Sequence, residues 1–188
     1  MTTARIRMSA AVLAVLAAFL VAFQATNAAF SSQTANTANA FAAGTVVLSD
    51  NDSGVAMFTT SNMAPADTAT GCIEVTYSGS LNANVRLFGA VAGGTGLEAY
   101  LDLEIDRGSG TCAVFGTATA VWDNATDGDL GVFLAGATNF ATGRDNWAPT
   151  GGAPNDTVPY RFTVTLQNNN AAQGGSATID FTWEAQNI

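Results

Sequence analysis

Carboxylates are the side chains with which this chain could do chemistry. Asp123, Asp127 and Asp129 lie close together in the sequence, and oxygen ligands of this kind suit calcium better than hydrolytic zinc. The EF-hand pattern is not met, because Ala125 stands at its third position and Leu134 at its twelfth. Such Asp-rich segments are more often plain turns, in which Asp bonds to its own backbone. We therefore predict a turn here, with a calcium site as the alternative.

A second set of carboxylates alternates with apolar residues over residues 97–106. Glu98, Asp102, Glu104 and Asp106 fall on one face of this stretch. The solvated face of a strand is the simplest interpretation, because neighbouring carboxylates repel one another without a cation. Bridging of neighbouring molecules by cations is the functional alternative. Paired carboxylates can also hydrolyse glycosides, but the sequence places no sugar cleft beside these four.

The composition excludes most other chemistry. The sequence contains 15 acidic residues, six basic residues and no His, which gives a net charge of -9. Without His the chain cannot build an HExxH zinc site or the Ser-His-Asp and Cys-His nucleophile systems. A negative field repels phosphate backbones, so we expect no nucleic-acid partner. We predict a protein that is not an enzyme, with no catalytic residue and no cofactor apart from the calcium alternative.

The N-terminus has the order of a secretory signal peptide. Arg5 and Arg7 precede an apolar run over residues 10–23, and a stretch of small and polar residues follows. The apolar run is shorter than the roughly 20 residues that a bilayer span requires. We therefore predict that residues 1–29 are removed and that the mature chain is secreted, with membrane contact only during export. A retained N-terminal anchor helix is the alternative.

The two cysteines fit an oxidising compartment. Cys72 and Cys112 are an even pair without the CxxC or Cys/His neighbours of metal and redox sites. We predict a disulfide between them, with two buried free thiols as the alternative. Such a bond closes a loop of about 40 residues and restricts the unfolded chain by about 4 kcal/mol in the loop-entropy model.

The rest of the chain is typical of short strands separated by turns. Period-2 alternation and turn residues predict strands over residues 45–48, 54–58, 72–77, 84–91, 97–106, 111–120, 160–166 and 179–183. We therefore predict an all-β antiparallel sandwich over residues 44–188.

Two stretches depart from this strand pattern. Asp129 precedes apolar residues at helical spacing, which predicts a short helical insertion over residues 129–138. Residues 139–156 are rich in Gly, Pro and Asn, which predicts a long loop. The tryptophans Trp122, Trp147 and Trp183 are expected in the core or covering loops rather than on a sugar-binding platform.

Several short segments carry a resemblance to a known family. Residues 28–32 (Ala-Ala-Phe-Ser-Ser) and 41–48 (Phe-Ala-Ala-Gly-Thr-Val-Val-Leu) are similar to its cleavage site and first strand. Residues 62–67 and 78–81 are similar to its Asn-x-x-Pro-Gly-Asp segment and Gly-Ser-Leu turn, with Ala66 in place of the Gly. Together with the ending Phe-Thr-Trp-Glu-Ala-Gln, which is similar to that of actinobacterial-type members, this order resembles the TasA/camelysin family.

The resemblance implies a jelly-roll fold, processing by a SipW-type signal peptidase and assembly into extracellular fibres of a biofilm matrix. It favours cleavage between Ala29 and Phe30, although the small residues also allow cleavage after Ala28. In that family the freed N-terminal segment of one subunit pairs with the sheet of the next. Residues 30–43 are therefore the candidate donor strand of a head-to-tail homopolymer, with Phe30 and Phe41 as its apolar anchors.

Other interpretations compete with this one. Residues 30–43 contain no Pro and no charged side chain, but their Ser, Thr, Asn and Ala content is also typical of a disordered N-terminus. A monomeric secreted adhesin or carbohydrate-binding module on the same sandwich is the alternative function. Some family members are catalogued as metalloendopeptidases, an activity that we do not expect here because the chain has no His for zinc.

Overall fold

Eight antiparallel strands form two sheets in the computed structural model, which describes residues 43–53 and 55–188. The strands are β1 (Leu48–Asp50), β2 (Thr68–Tyr77), β3 (Ala83–Gly94), β4 (Leu101–Gly108), β5 (Ala118–Asp123), β6 (Arg144–Trp147), β7 (Asp156–Leu166) and β8 (Ala177–Asn187). The larger sheet has the order β1-β2-β7-β4-β5 and the smaller sheet the order β6-β3-β8. The predicted signal peptide, the cleavage site between Ala29 and Phe30, and the donor anchor Phe41 lie outside the described residues.

The two sheets pack face to face through aromatic side chains of β7 and β8. The ring centroids of Tyr160 and Trp183 are 5.3 Å apart, and those of Phe162 and Phe181 are 4.6 Å apart. Side chains along β2, β4 and β7 alternate between buried and more exposed positions, as expected for a sheet with one solvated face. The prediction of an all-β protein with packed antiparallel sheets is confirmed.

Two short α-helices, α1 (Asn124–Asp127) and α2 (Leu130–Gly136), lie between β5 and β6. Asp129 caps α2, because its Oδ1 accepts a hydrogen bond from the backbone N–H of Val132 at 2.9 Å. Phe133 of α2 is fully buried and packs edge-on against Trp122, with ring centroids 5.1 Å apart. The predicted helical insertion is confirmed. No helix in the described part of the chain is long and apolar enough to cross a membrane.

The predicted disulfide between Cys72 and Cys112 is confirmed. It joins β2 to the loop between β4 and β5, with a Cα–Cα distance of 5.7 Å. The backbone N–H of Cys112 donates a hydrogen bond at 2.7 Å to Oε1 of Glu74, which lies on β2 like Cys72. In the same loop the Phe115 ring lies 4.2 Å from the guanidinium carbon of Arg161. These contacts hold the loop against the outer face of the five-stranded sheet.

Residues 97–100 do not belong to a strand, contrary to the prediction. Gly94 and Gly96 have positive φ angles of 128° and 96°, a backbone conformation that glycine adopts more readily than other residues. The chain turns here, at the end of β3. Leu97–Tyr100 then forms a 3-10 turn, and β4 begins at Leu101. As a result, Glu98 is not on the acidic face of β4.

Four other predicted segments differ from the structure. Residues 111–117 form tight turns, with Thr111 N–H donating to Val114 O at 2.8 Å, so the strand begins only at Ala118. Residues 55–58 are not a strand, and β1 begins at Leu48 rather than residue 45. The predicted loop over residues 139–156 contains β6, which pairs with the distant strand β3.

Candidate functional site

The candidate site lies where the two sheets differ in width. Strand β8 faces β7 across the core, as the Phe162–Phe181 contact shows. In the five-stranded sheet, β7 is followed by β2 and β1, whereas β8 is the last strand of the three-stranded sheet. Within residues 43–53 and 55–188, therefore, no strand of the smaller sheet lies opposite β2.

A groove of about 1200 Å³ lies at this position. Its walls include inward-facing side chains of β2, β7 and β8, among them Ile73, Val164, Ile179, Phe181 and Trp183. This volume exceeds the roughly 300–1,000 Å³ of small-molecule pockets. The β8 groove, as we call it, is therefore large enough for a peptide segment.

The β8 wall of the groove is only partly covered by the fold. Ile179, Phe181 and Trp183 are half-buried. On the facing strand β7, Tyr160 and Phe162 are fully buried. Both strands have the same alternation of apolar residues, so the difference comes from what covers them.

Strand β8 also has a backbone edge. Its eleven residues pair with β3, from Ala177 opposite Gly94 to Asn187 opposite Ala83. Among the described residues, β8 makes no backbone hydrogen bond to any segment other than β3. An edge strand directs the N–H and C=O groups of every second residue away from its sheet, where another strand can bind them.

Residues 55–63, which we call the strap, line part of the β8 groove. The strap has no regular secondary structure, and most of its side chains are exposed. Met57 and Phe58 are half-buried against Gly71 of β2: a Cβ atom added to Gly71 would lie 2.6 Å from a side-chain carbon of each. No backbone hydrogen bond joins residues 56–63 to another described residue. Met63 also packs against the core, so the strap is held mainly by the packing of three side chains.

The opposite side of the sandwich is closed by a buried carboxylate. Asp145 of β6 has a side chain that is 5% exposed, and both of its oxygens accept hydrogen bonds from Nη1 of Arg107 on β4, at 2.7 and 2.9 Å. The hydroxyl of Tyr160 on β7 donates to Oδ2 of Asp145 at 2.6 Å. In addition, Nη1 of Arg86 on β3 donates to the backbone carbonyl of Asp145 at 2.6 Å. This network, which joins the two sheets, has no counterpart at the β8 groove among the described residues.

The environment of Tyr160 keeps its hydroxyl protonated. Burial, and then the charge of Asp145, raise the pKa of Tyr160 well above its ordinary value. The phenol therefore keeps its proton at neutral pH and donates it in the hydrogen bond to Asp145. Nothing in the sequence around Asp145 signalled this network, because its members lie on four strands.

The three residues predicted as calcium ligands serve as hydrogen-bond acceptors for the backbone. Asp123 Oδ1 accepts from Ala125 N–H at 2.8 Å, and Asp127 Oδ2 accepts from Asp123 N–H at 3.0 Å. Asp129 caps α2 instead. Among the described residues no group of three or more His, Cys, Asp or Glu side chains is arranged to hold a metal. The calcium site stays a prediction.

The acidic face of β4 carries three of the four predicted carboxylates. Asp102 accepts a hydrogen bond from Nε2 of Gln167 at 2.7 Å, and Asp106 pairs with Arg161 at 2.7 Å. Glu104 lies opposite Asp123 of β5 in the strand register. Partial burial, and then the charge of Asp123, raise the pKa of Glu104.

The tryptophans differ in their surroundings. Trp122 and Trp147 are buried, as predicted for core residues. Trp183 lines the β8 groove and is only half-buried. The sequence did not indicate that β8 is the last strand of its sheet, although its apolar alternation was visible. A scan against protein-family models and a search of curated proteins find no match to this chain.

Proposed function

We propose that the mature chain is a secreted structural subunit that polymerises into extracellular fibres of a biofilm matrix. In this proposal the donor segment of one copy, residues 30–43, adds to the outer edge of β8 in the next copy and completes a jelly-roll sandwich. The observation that supports it best is the β8 groove, an apolar trough beside a strand that pairs on one side only within the described residues.

The donor segment has the chemistry that such an edge accepts. Residues 30–43 contain no Pro, so every backbone N–H is available for a ladder. They are numerous enough to span the eleven residues of β8. Phe30 and Phe41 are the large apolar side chains of the segment, and full burial of one such side chain contributes about 1.5–3 kcal/mol.

The donor segment can also reach a neighbouring molecule. The carbonyl of Thr45 accepts a hydrogen bond from Ser80 N–H at 2.9 Å, and Gly44 packs against Leu81, so the chain is fixed to its own fold from about this point. Residues 30–43, which precede this point, span up to about 45 Å when extended. Addition to a neighbour does not close on itself, so repetition gives a filament.

The negative charge of the folded domain favours an uncharged segment as the connection between two copies. All 15 acidic residues follow residue 43, together with only four Arg, so two folded domains repel each other at low ionic strength. Residues 30–43 carry no charged side chain, and cleavage before Phe30 would add one positive α-amino group. This segment is therefore the part of the chain that approaches an acidic neighbour without repulsion.

Electron microscopy of the purified mature chain tests the proposal. We expect filaments from the intact chain and none from a variant that lacks residues 30–43. A finer variant replaces Ala35 and Asn36 by Pro. Successive N–H groups of a strand point to opposite sides, so one of the two prolines must remove a ladder donor.

The matched control replaces Ala35 and Asn36 by Ser, which keeps both N–H groups, and should assemble as the parent does. Mass spectrometry of the secreted chain is expected to show Phe30 as its first residue. A mature chain with residues 30–43 intact that stays monodisperse at high concentration contradicts the proposal. Specific glycan binding by that monomer would instead favour the adhesin alternative.

A further inference from the structure

The inner face of β2 has a hollow beneath Met57 and Phe58, two residues that line the β8 groove. Inward positions of this strand are occupied by the small residues Ala69 and Gly71 before the larger Ile73. Gly71 lies opposite Phe162 in the β2–β7 register. Phe162 in turn contacts Phe181 of β8, with ring centroids 4.6 Å apart. The hollow over Gly71 is therefore bordered by aromatic rings, which favour an aromatic occupant in edge-to-face or offset packing.

The strap fills this hollow within the same chain. The side chains of Met57 and Phe58 both approach Gly71 so closely that a Cβ atom there would meet them at 2.6 Å. Both remain half-buried, and Val55 beside them is 68% exposed. Residues 56–63 are held by side-chain packing, with Met63 as the third contact, and make no backbone hydrogen bonds to other described residues, so the strap opens at low cost.

We propose that the hollow over Gly71 is the pocket that takes an aromatic side chain of the donor segment, and that the strap is its intramolecular competitor. The inference rests on the proposed function and identifies the acceptor pocket. In the free subunit Phe58 and Met57 shield the pocket. In the fibre the donor phenylalanine of a second copy occupies it, and the strap moves to the surface.

Geometry selects Phe30 as the donor side chain. Phe41 follows Phe30 by eleven positions, an odd offset, so a regular strand directs the two side chains to opposite faces and only one can enter the groove. Phe41 lies three residues before Gly44, which packs on its own domain against Leu81. Phe30 is at the far end of the segment and is the one free to reach a neighbour.

The competition can be measured from the critical concentration for filament assembly of the mature chain. Replacing Met57 and Phe58 together by Ser releases the strap and should lower the critical concentration by about tenfold, because the donor no longer displaces two apolar side chains. Val55→Ser is the matched control in the same segment and should have no effect. Phe30→Ala should raise the critical concentration by about tenfold or more, and Phe41→Ala by much less.

Oxidation of methionine by dilute peroxide gives a second measurement that needs no variant. Met57 is half-buried in the free subunit, so its displacement predicts faster sulfoxide formation in filaments than in monomers, measured by mass spectrometry. This readout decides the matter even if the Met57/Phe58 double variant does not fold.

The possible failures are distinguishable. Filaments in which Met57 is oxidised no faster than in the monomer, or a strap variant that assembles less well than the parent, overturn the competition and leave donor-strand addition standing. Equal effects of Phe30→Ala and Phe41→Ala overturn the assignment of Phe30. A parent chain that forms no filaments overturns the proposed function, and the inference with it.

Discussion

The hydrophobic core is covered differently at the two ends of the smaller sheet, beside β6 and beside β8. At the side of β6, the core is closed by the buried Trp147 and by the network of Asp145 with Arg107 and Tyr160. At the side of β8, half-buried Phe181 and a strap without regular structure border a groove of about 1200 Å³. The chain buries its own apolar side chains on the β6 side, whereas on the β8 side apolar side chains remain partly exposed.

This difference does not come from local sequence pattern. Strand β4 presents Leu103 and Ile105 inward, and β8 presents Ile179 and Phe181 with the same alternation. The β4 side chains are completely buried, whereas those of β8 are not. An incompletely covered apolar strand beside a backbone edge is what soluble monomers avoid. The contrast therefore points to β8 as a surface for association.

The largest expected effect comes from making the same substitution at a fully buried ring and at a half-buried ring of the core. Phe133→Ala, which removes a ring packed between Trp122 and Phe181, should lower the free energy of unfolding by about 3–5 kcal/mol, because the ring is fully buried and its loss leaves a cavity. Phe181→Ala at the groove should cost only about 1–2 kcal/mol in the monomer, since its ring is already partly exposed. Urea unfolding of both variants measures the difference, and equal losses would mean that the fold covers Phe181 as fully as it covers Phe133.

The second prediction breaks the network at the closed side. Asp145→Asn leaves the guanidinium of Arg107 without its charge partner and should lower the free energy of unfolding by about 2–3 kcal/mol. This is below the roughly 3–5 kcal/mol expected for a fully buried pair, because Arg107 retains 20% exposure. Filament assembly by the folded variant should be unchanged, since neither Asp145 nor Arg107 lines the β8 groove.

Asp106→Asn is the matched control for that variant. It removes the carboxylate that pairs with Arg161, but both side chains of this pair are at least 30% exposed. Surface pairs of this kind contribute about 0–1 kcal/mol. If Asp106→Asn were to cost as much as Asp145→Asn, burial would not explain the strength of the Asp145 network.

The sequence predicts well those features that depend on local pattern. Alternation located the centres of β2, β3, β7 and β8, the even pair of cysteines predicted the disulfide, and Asp129 marked the start of α2. These features depend on the residues of one segment, or on the one pairing that two cysteines allow. For that reason the fold class could be predicted without any relative.

Features that depend on distant pairing could not be predicted. β6 is four residues long, and it is a strand because β3 binds it; Gly and Asn around it signal only a loop. The Asp145 network joins four strands, so no local spacing marks it. The β8 groove likewise exists because β8 is the last strand of its sheet while β7, which it faces, is followed by β2. Strand order of this kind is not visible in a single sequence.

The smallest expected effect concerns Glu104 on the solvated outer face of β4. Glu104 lies opposite Asp123, with Asp102 and Asp106 on its own strand, and its pKa is raised above the ordinary 4.5. A carboxyl whose pKa is higher in the folded than in the unfolded state stabilises the fold only while it is protonated. That stabilisation is present below about pH 4 and is lost as the pH rises through the folded pKa.

Glu104→Gln removes this pH-dependent loss of stability, because the amide stays neutral at every pH. At about pH 7 the free energy of unfolding of the variant should exceed that of the parent by less than about 1 kcal/mol, since Glu104 is exposed. The difference should vanish near pH 4 and shrink in about 1 M salt, because both conditions remove the repulsion from Asp123. Asp102→Asn, which weakens the hydrogen bond from Gln167, should show no such gain. A gain for Glu104→Gln that is the same at both pH values would mean that packing of the amide, rather than charge, explains it.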